Sequence, residues 1–134
     1  MKLLLDTHII LWYLNNDAKL SVKAKGWIDK EDNEIFNSIV SLWEVAIKHI
    51  ISPDRMVTTE EILSEYAENT GFNLLPLKLQ HVILLKTLHR QNDAKKHNDP
   101  FDRMLICQAK AENMMFLTHD SLIPGYDGPC VVYV

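Results

Sequence analysis

The amino-acid sequence predicts an α/β fold in which helices cover both faces of a mostly parallel sheet. Short apolar stretches with the character of buried strands alternate with longer segments of helical periodicity, a pattern typical of parallel sheets. The chain has 134 residues, of which 47% are hydrophobic and 24% are charged, and this is enough for one domain with its own core. We therefore expect a single domain over residues 1–134.

The N-terminal half begins with a predicted buried strand over residues 2–5, which ends at Asp6 and leads into an apolar helix. A second short helix follows and is capped by Ser21, and the stretch NEIFNS is a strand. Ser41 and Glu44 in SLWEVAIKHI have the S-x-x-E spacing of a capping box, so this helix is expected to open there. The segment TTEEILSEYAENTG is a helix with a threonine at its start and a glycine as its stop.

The C-terminal half continues with FNLLPL as a strand or extended segment and KLQHVILLKTL as a strongly apolar helix. After the polar loop HRQNDAKKHN, a helix is predicted with Asp99 as its N-cap and Pro100 at its first position. MMFLT and CVVYV are the last two strands, and the loop between them contains Asp120. The three tryptophans, Trp12, Trp27 and Trp43, are interpreted as packing residues.

Composition excludes some classes of protein. The net charge of −4 lacks the basic excess of most nucleic-acid-binding proteins, although bound divalent cations would reverse the local field. Cys107 and Cys130 have no metal-type spacing and are expected to be reduced. Asp6 interrupts the apolar N-terminus before a signal peptide could form, and IILWYL is too short to span a bilayer. We therefore expect a cytoplasmic protein without membrane contact.

Five acidic residues are predicted to meet at one edge of the sheet. Strand ends, and the first turns of the helices that follow them, lie at the carboxyl edge of a parallel sheet, where ligands bind. Asp6 ends the first strand, Glu44 opens the helix after the second, and Asp120 lies two residues beyond MMFLT. Asp99 and Asp102 begin a helix that leads into MMFLT, so its N-terminus points at the same edge.

Helix initiation explains Glu44, Asp99 and Asp102 one at a time, but it does not explain why all five acids gather. Like charges at short range repel and raise one another's pKa, so the cluster is tolerable only with a counter-cation. Oxygen ligands with few histidines suit Mg²⁺ or Mn²⁺. The sequence therefore predicts a carboxylate site for a hard divalent cation.

The stretches LLLDTH, SLWEVAIK, HNDPFDRMLICQA and FLTHD, in this order and spacing, resemble PIN-domain ribonucleases. The resemblance is strongest to the VapC-type toxins of bacterial toxin–antitoxin pairs that carry H-x-D-P-F-D-R, and it covers nearly the whole chain. It implies a three-layer α/β/α sandwich around a parallel sheet of about five strands. It also implies hydrolysis of RNA with one or two Mg²⁺ or Mn²⁺ ions, a homodimer, and a cognate antitoxin protein.

The resemblance also assigns roles to individual residues. The family's catalytic and metal-binding quartet corresponds to Asp6, Glu44, Asp102 and Asp120. Asp99 is a supplementary carboxylate, and the hydroxyls that would orient carboxylates or waters belong to Thr7, Ser41 and Thr118. His97 and Arg103 are candidates for substrate contact, with pairing to a neighbouring acid as the alternative for Arg103. His8 and His119 also lie near the acids, and local packing is the alternative for all three histidines.

Among the alternative functions, two phosphate-handling classes are disfavoured by the sequence and two PIN-like alternatives remain open. A haloacid-dehalogenase phosphatase needs an aspartate two residues after Asp6, where this chain has His8, and a receiver domain needs a lysine that FLTHD lacks. A PIN-like nuclease that acts on DNA would use the same acids. A PIN-like binding or regulatory module without cleavage is the non-enzymatic alternative.

Overall fold

The fold is a five-stranded parallel sheet with helices on both sides, seen in a computed structural model that describes residues 1–126 and 130–134. The strands are β1 (Lys2–Leu5), β2 (Glu34–Ser38), β3 (Asn73–Leu75), β4 (Met115–Thr118) and β5 (Val131–Tyr133). Their order in the sheet is β3-β2-β1-β4-β5, and every neighbouring pair is parallel. The predicted α/β fold with a parallel sheet of about five strands is confirmed.

Six α-helices connect the strands in the described residues: α1 (Thr7–Leu14), α2 (Val22–Asp29), α3 (Ile39–Ile51), α4 (Glu60–Thr70), α5 (Leu79–Ile83) and α6 (Pro100–Ala111). Short 3₁₀ turns cover Leu84–Thr87 and Ile123–Gly125. The apolar segment predicted as one helix is thus divided into α5 and a 3₁₀ turn. Within the described ranges, none of these helices is long and apolar enough to cross a membrane.

Two hydrophobic cores lie on opposite faces of the sheet because successive side chains of a strand point to opposite sides. Leu3 and Leu5 of β1 pack into the core formed with α1 to α4, whereas Leu4 between them packs into the core formed with α6. All three leucines are fully buried. β1 is therefore the central strand of a three-layer sandwich, and its carboxyl end lies in the middle of the sheet edge.

Helix termini explain where most elements begin and end. Thr59 caps α4, and Gly71 stops it at a φ of +92°, a left-handed conformation that suits glycine. Asp99 caps α6, because its Oδ1 accepts hydrogen bonds from Phe101 N at 2.9 Å and Asp102 N at 3.0 Å. These predicted boundaries are confirmed.

The predicted start of α3 is wrong. The helix begins at Ile39 directly after β2, and its N-cap is Ser38, whose Oγ accepts from Val40 N at 2.9 Å. Glu44 consequently lies in the second turn rather than at the helix start, and Ser41 does not cap it. Ser38 is both the last residue of β2 and the N-cap of α3, so no loop separates the two elements. The S-x-x-E spacing of Ser41 and Glu44 therefore does not mark a helix start.

Two further expectations concern residues outside the sheet edge. Trp43 was expected to be a packing residue, but its side chain is 54% exposed and touches Phe101 edge-to-face at 5.0 Å between ring centroids. Trp12 and Trp27 pack against the first core as expected. Cys107 is buried, Cys130 is partly buried, and both are free thiols.

Candidate metal centre

Asp6 is held at the end of β1 by hydrogen bonds to both of its carboxylate oxygens. Thr7 N donates to Oδ1 at 2.7 Å, and the Thr118 hydroxyl of β4 donates to Oδ2 at 2.7 Å. Burial raises the pKa of this carboxyl to about 6 even though both hydrogen bonds oppose the shift. Asp6 thus occupies a fixed position, 4% exposed, at the centre of the carboxyl edge.

Glu44 reaches the same edge from the second turn of α3. Its Oε1 accepts from the Thr7 hydroxyl at 2.7 Å, and Thr7 Oγ1 lies 2.9 Å from Ser41 Oγ. A hydroxyl has one proton, so Thr7 donates to Glu44 and accepts from Ser41. Ser41 and Glu44 therefore face Thr7 and Asp6, which explains the spacing that resembles a capping box.

Lys48 forms an ion pair with Glu44 Oε2 one turn further along α3. Burial lowers the pKa of Lys48, but the hydrogen bond and charge of Glu44, together with the charges of Asp99 and Asp102, outweigh burial and raise it. The two residues have the i,i+4 spacing that brings side chains together on one helix face. It brings one positive charge to the edge of an otherwise acidic pocket.

Asp120 is linked to Asp6 through the hydroxyl that they share. Thr118 Oγ1 donates to Asp6 and accepts from Asp120 N at 3.0 Å, while Asp120 Oδ1 accepts from Leu122 N at 2.9 Å. The loop after β4 is thereby folded back over the sheet edge. The three predicted supporting hydroxyls, Thr7, Ser41 and Thr118, all make hydrogen bonds within this group of residues.

The α6 N-terminus brings Asp99 and Asp102 to the pocket. Burial raises the pKa of Asp102 to about 8, and the charges of Asp6, Asp99, Glu44 and Asp120 raise it further in that order. This response requires the other four acids to lie near Asp102. The structure therefore brings all five predicted acids to one edge of the sheet.

His97 precedes α6, and its side chain is buried between Asp102 and Tyr126. Its Nε2 lies 3.1 Å from Asp102 Oδ2, and its Nδ1 lies 2.6 Å from the phenol oxygen of Tyr126. Burial lowers the pKa of His97, while neighbouring charges act in both directions, Asp120 and Asp99 raising it and Arg90 and Arg103 lowering it. Tyr126 was not anticipated from the sequence, because it lies 29 residues from His97 in an irregular segment without a motif.

The group best placed to hold a cation combines two carboxylates with this imidazole. One ligand atom each from His97, Asp102 and Asp120 lies within 4.8 Å of the other two. Within the described ranges the group does not extend to Asp6 or Glu44. Buried, mutually repelling carboxylates beside an imidazole fit a divalent cation, because the cation's charge relieves the repulsion that raises the pKa of Asp102.

The remaining candidates lie around this group. Arg103 donates from Nη1 to the Tyr126 phenol at 3.3 Å, so in the part of the chain that the structure describes it contacts the tyrosine instead of an acid. His8 stacks on Trp12 at 5.8 Å and His119 on Tyr133 at 5.5 Å between ring centroids. These two histidines pack locally, as their alternative interpretation held.

Comparison with known families agrees with this geometry. The family profile described as PIN domain matches residues 3–128. A search of curated proteins found no relative of this chain.

Among solved structures, the chain is similar to VapBC2 from Rickettsia felis bound to a DNA fragment from their promoter, at 15% identity and a TM-score of 0.60, with 90% of this chain and 89% of that chain covered. It is similar to VapBC-1 from nontypeable Haemophilus influenzae at 19% identity and a TM-score of 0.56, covering 90% and 87%. FitAcB from Neisseria gonorrhoeae matches at 18% identity and a TM-score of 0.57, covering 90% and 89%. At these identities the similarity concerns the fold.

Proposed function

The chain belongs to the PIN domain family, and on that premise we propose that it is a metal-dependent endoribonuclease, the toxin of a toxin–antitoxin pair. The observation that carries the proposal is the convergence of five acids on Asp102, whose pKa rises to about 8 in a pocket at the carboxyl edge. A pocket that concentrates negative charge in this way suits Mg²⁺ or Mn²⁺, one or two ions, and through them a phosphodiester. We assign the whole of residues 1–134 to this single domain.

When bound, the cation lowers the pKa of a water and neutralises charge that develops on the phosphate. The chain's own residues divide the remaining work. Asp102 and Asp120 would hold the cation through carboxylate oxygens. Asp6 and Glu44, the other two acids of the quartet, are oriented by the Thr118 and Thr7 hydroxyls. Asp99 acts through the α6 terminus, because it accepts hydrogen bonds from Phe101 N and Asp102 N and so holds the backbone that carries Asp102.

RNA cleavage in defined metal conditions tests this proposal. Labelled RNA is incubated with the protein and Mg²⁺, Mn²⁺ or EDTA, alongside Asp6→Asn, Asp120→Asn and the exposed control Asp54→Asn. We expect cleavage with either metal in the wild type and in Asp54→Asn, and none with EDTA or in the two site variants. Cleavage that survives EDTA, or that persists in both site variants, would exclude the metal mechanism.

The same assay separates the alternatives. Single-stranded and double-stranded DNA replace RNA in parallel reactions, since a PIN-like nuclease with these acids could act on DNA. Cleavage of DNA alone would correct the substrate. Metal binding without cleavage of any nucleic acid would favour a binding or regulatory module.

An antitoxin is the proposed protein partner. VapBC2, VapBC-1 and FitAcB share this fold, and a groove between α3 and α4 offers an apolar floor that includes Leu42 and the exposed Trp43. Its rim is acidic, with Glu60, Glu61, Glu65 and Glu68. These charges suit a basic segment of the antitoxin. Co-expression with the neighbouring gene and co-purification test the pairing, and Trp43→Glu should abolish it.

A homodimer and a cytoplasmic location are also proposed. Leu79, Val82 and Ile83 on α5 are 73%, 43% and 49% exposed, an apolar surface that a second copy of the chain would cover. Light scattering on the purified protein should give twice the monomer mass of 15.5 kDa. Val82→Glu should shift the mass to that of a monomer, and an unchanged dimer would place the interface elsewhere.

A further inference from the structure

The partners of Tyr126 determine which ring nitrogen of His97 carries a proton. The phenol oxygen lies 2.9 Å from the carbonyl oxygen of His97, 3.3 Å from Arg103 Nη1 and 2.6 Å from His97 Nδ1. A carbonyl can only accept, so the phenol proton goes to it. A guanidinium can only donate, so it uses one lone pair of the phenol oxygen. Because the third neighbour must then donate as well, Nδ1 carries the proton.

His97 Nε2 is consequently left with a bare lone pair in the neutral imidazole. That lone pair lies 3.1 Å from Asp102 Oδ2, so the two atoms share either the proton of a neutral carboxyl group or, once that carboxyl is ionised, a cation. Two buried acceptors at this distance repel unless a proton or a cation lies between them. The imidazole is 7% exposed, so bulk water cannot separate the two groups.

Asp120 supplies a third ligand atom at the same point. One of its oxygens lies within 4.8 Å of the ligand atoms of both His97 and Asp102. The bare nitrogen and two carboxylates thus converge on a small volume beside the α6 N-terminus.

We propose that His97 Nε2 is a nitrogen ligand of the divalent cation, and that Tyr126 is the positioning residue that fixes the required tautomer. The inference rests on the proposed metal-dependent function and extends it from an all-oxygen site to a mixed nitrogen and oxygen site. Mg²⁺ prefers oxygen ligands, whereas transition metals accept imidazole. The chain therefore favours Mn²⁺ over Mg²⁺, and the preference depends on His97.

Electron spin echo spectroscopy of the Mn²⁺-loaded protein tests the ligand directly. Wild-type protein should show modulation from a directly bound ¹⁴N nucleus, and His97→Gln should not, because the glutamine amide binds metals through oxygen. His119→Gln is the matched control, since that histidine is exposed, stacks on Tyr133 and is not one of the three grouped ligands in the described residues. Loss of the nitrogen signal in His97→Gln alone supports the proposal, and a signal that survives in this variant overturns it.

Binding constants provide a second measurement. His97→Gln should weaken Mn²⁺ binding at least about tenfold, the scale on which even outer partners of metal ligands act, and should weaken Mg²⁺ binding much less. Tyr126→Phe keeps the ring and removes the hydroxyl, so it should weaken Mn²⁺ binding by about tenfold while the nitrogen signal remains. Equal Mn²⁺ affinity in wild type and His97→Gln would refute the assignment.

The metal-free protein reports the tautomer. With ¹⁵N-labelled histidine, the Nδ1 signal of His97 should be that of a protonated nitrogen and the Nε2 signal that of a bare one. Protonated signals at both nitrogens at pH 7 would contradict the proposal, because the site would then hold an imidazolium.

These outcomes are separate from those of the cleavage assay. A ¹⁴N-coupled Mn²⁺ ion in a protein that cleaves no nucleic acid would refute the nuclease function and leave the ligand assignment intact. Metal-dependent cleavage without nitrogen coupling would refute the ligand assignment and leave the nuclease function intact.

Discussion

Two buried histidines of this protein each face a carboxyl group, and the two pairs differ in which ring nitrogen carries the proton. His97 Nε2 lies 3.1 Å from Asp102, and His81 Nε2 lies 3.1 Å from Glu112. Both imidazoles are buried, with exposed fractions of 7% and 0%. From distance and burial alone, the pairs would be classed together.

The second ring nitrogen separates them. His81 Nδ1 accepts from Lys78 N at 3.0 Å, so its Nε2 carries the proton and donates to Glu112. That hydrogen bond is the main cause of the lowered pKa of Glu112. Both ring nitrogens of His81 therefore have a matching partner. The pair links α5 to the end of α6, and we interpret it as a structural contact. The Asp102 pair has the opposite tautomer, so its Nε2 lone pair faces the carboxyl group and is available to a cation when Asp102 ionises.

Replacing the two carboxylates gives the largest expected contrast. Asp102→Asn should lower the rate of RNA cleavage at least about 100-fold, because the amide binds a divalent cation far more weakly than a carboxylate. Glu112→Gln should stay within about twofold of wild type, since the side-chain partners of Glu112 in the described residues are Gln80 and His81. Initial rates at saturating Mn²⁺ measure both. A similar loss in the two variants would mean that the pairs are functionally alike.

Removal of the His81 imidazole should cause the largest change in stability. His81→Ala removes a fully buried ring and leaves Lys78 N without its acceptor, so the free energy of unfolding should fall by about 3 kcal/mol. Urea unfolding of the metal-free protein gives this value. The affinity for Mn²⁺ in the folded variant should be unchanged, and a large change in affinity would connect α5 to the metal centre.

Asp102→Asn should stabilise the metal-free protein at pH 8. The raised pKa of about 8 means that ionised Asp102 is disfavoured in the folded state, so stability is lost as pH rises from about 4 towards 8. Asparagine has no charge and can donate to the bare His97 Nε2. We expect a gain of about 2 kcal/mol at pH 8 that disappears near pH 4. Thermal unfolding of both proteins between pH 4 and pH 8 measures this gain. With saturating Mn²⁺, the variant should instead be less stable than the wild type.

Glu112→Gln should have the smallest effect and the opposite pH dependence. The lowered pKa of Glu112 contributes stability above the unfolded value of 4.5, and this contribution is lost as pH falls through the folded value. The variant should therefore lower Tm by about 1 °C at pH 7 and leave it unchanged near pH 3. A rise in Tm at pH 7, as expected for Asp102→Asn at pH 8, would show that Glu112 is also a repelled carboxylate.

The acids of the metal centre could be found from the sequence because each sits at a local signal. Asp6 and Asp120 follow apolar strands, and Asp99 and Asp102 begin a helix with a proline at its first position. Parallel topology then places such residues at one edge. Strand pairing and helix capping are therefore enough to predict the gathering of these acids.

Contacts between distant segments could not be found in this way. Ser41 and Glu44 match a local capping pattern, but their partner is Thr7, 34 and 37 residues earlier. Tyr126 contacts His97 from an irregular segment, and its hydroxyl, not any motif, decides the tautomer. The exposure of Trp43 likewise depends on which neighbours cover it in the folded chain.

The hydrogen bond from Thr118 to Asp6 joins residues that are 112 positions apart. A ribosome must synthesise β4 before the first acid of the pocket acquires this partner, so a nascent or prematurely released chain lacks an assembled centre. A translation product that stops before Thr118 therefore lacks the hydroxyl that holds the first acid of the pocket in place.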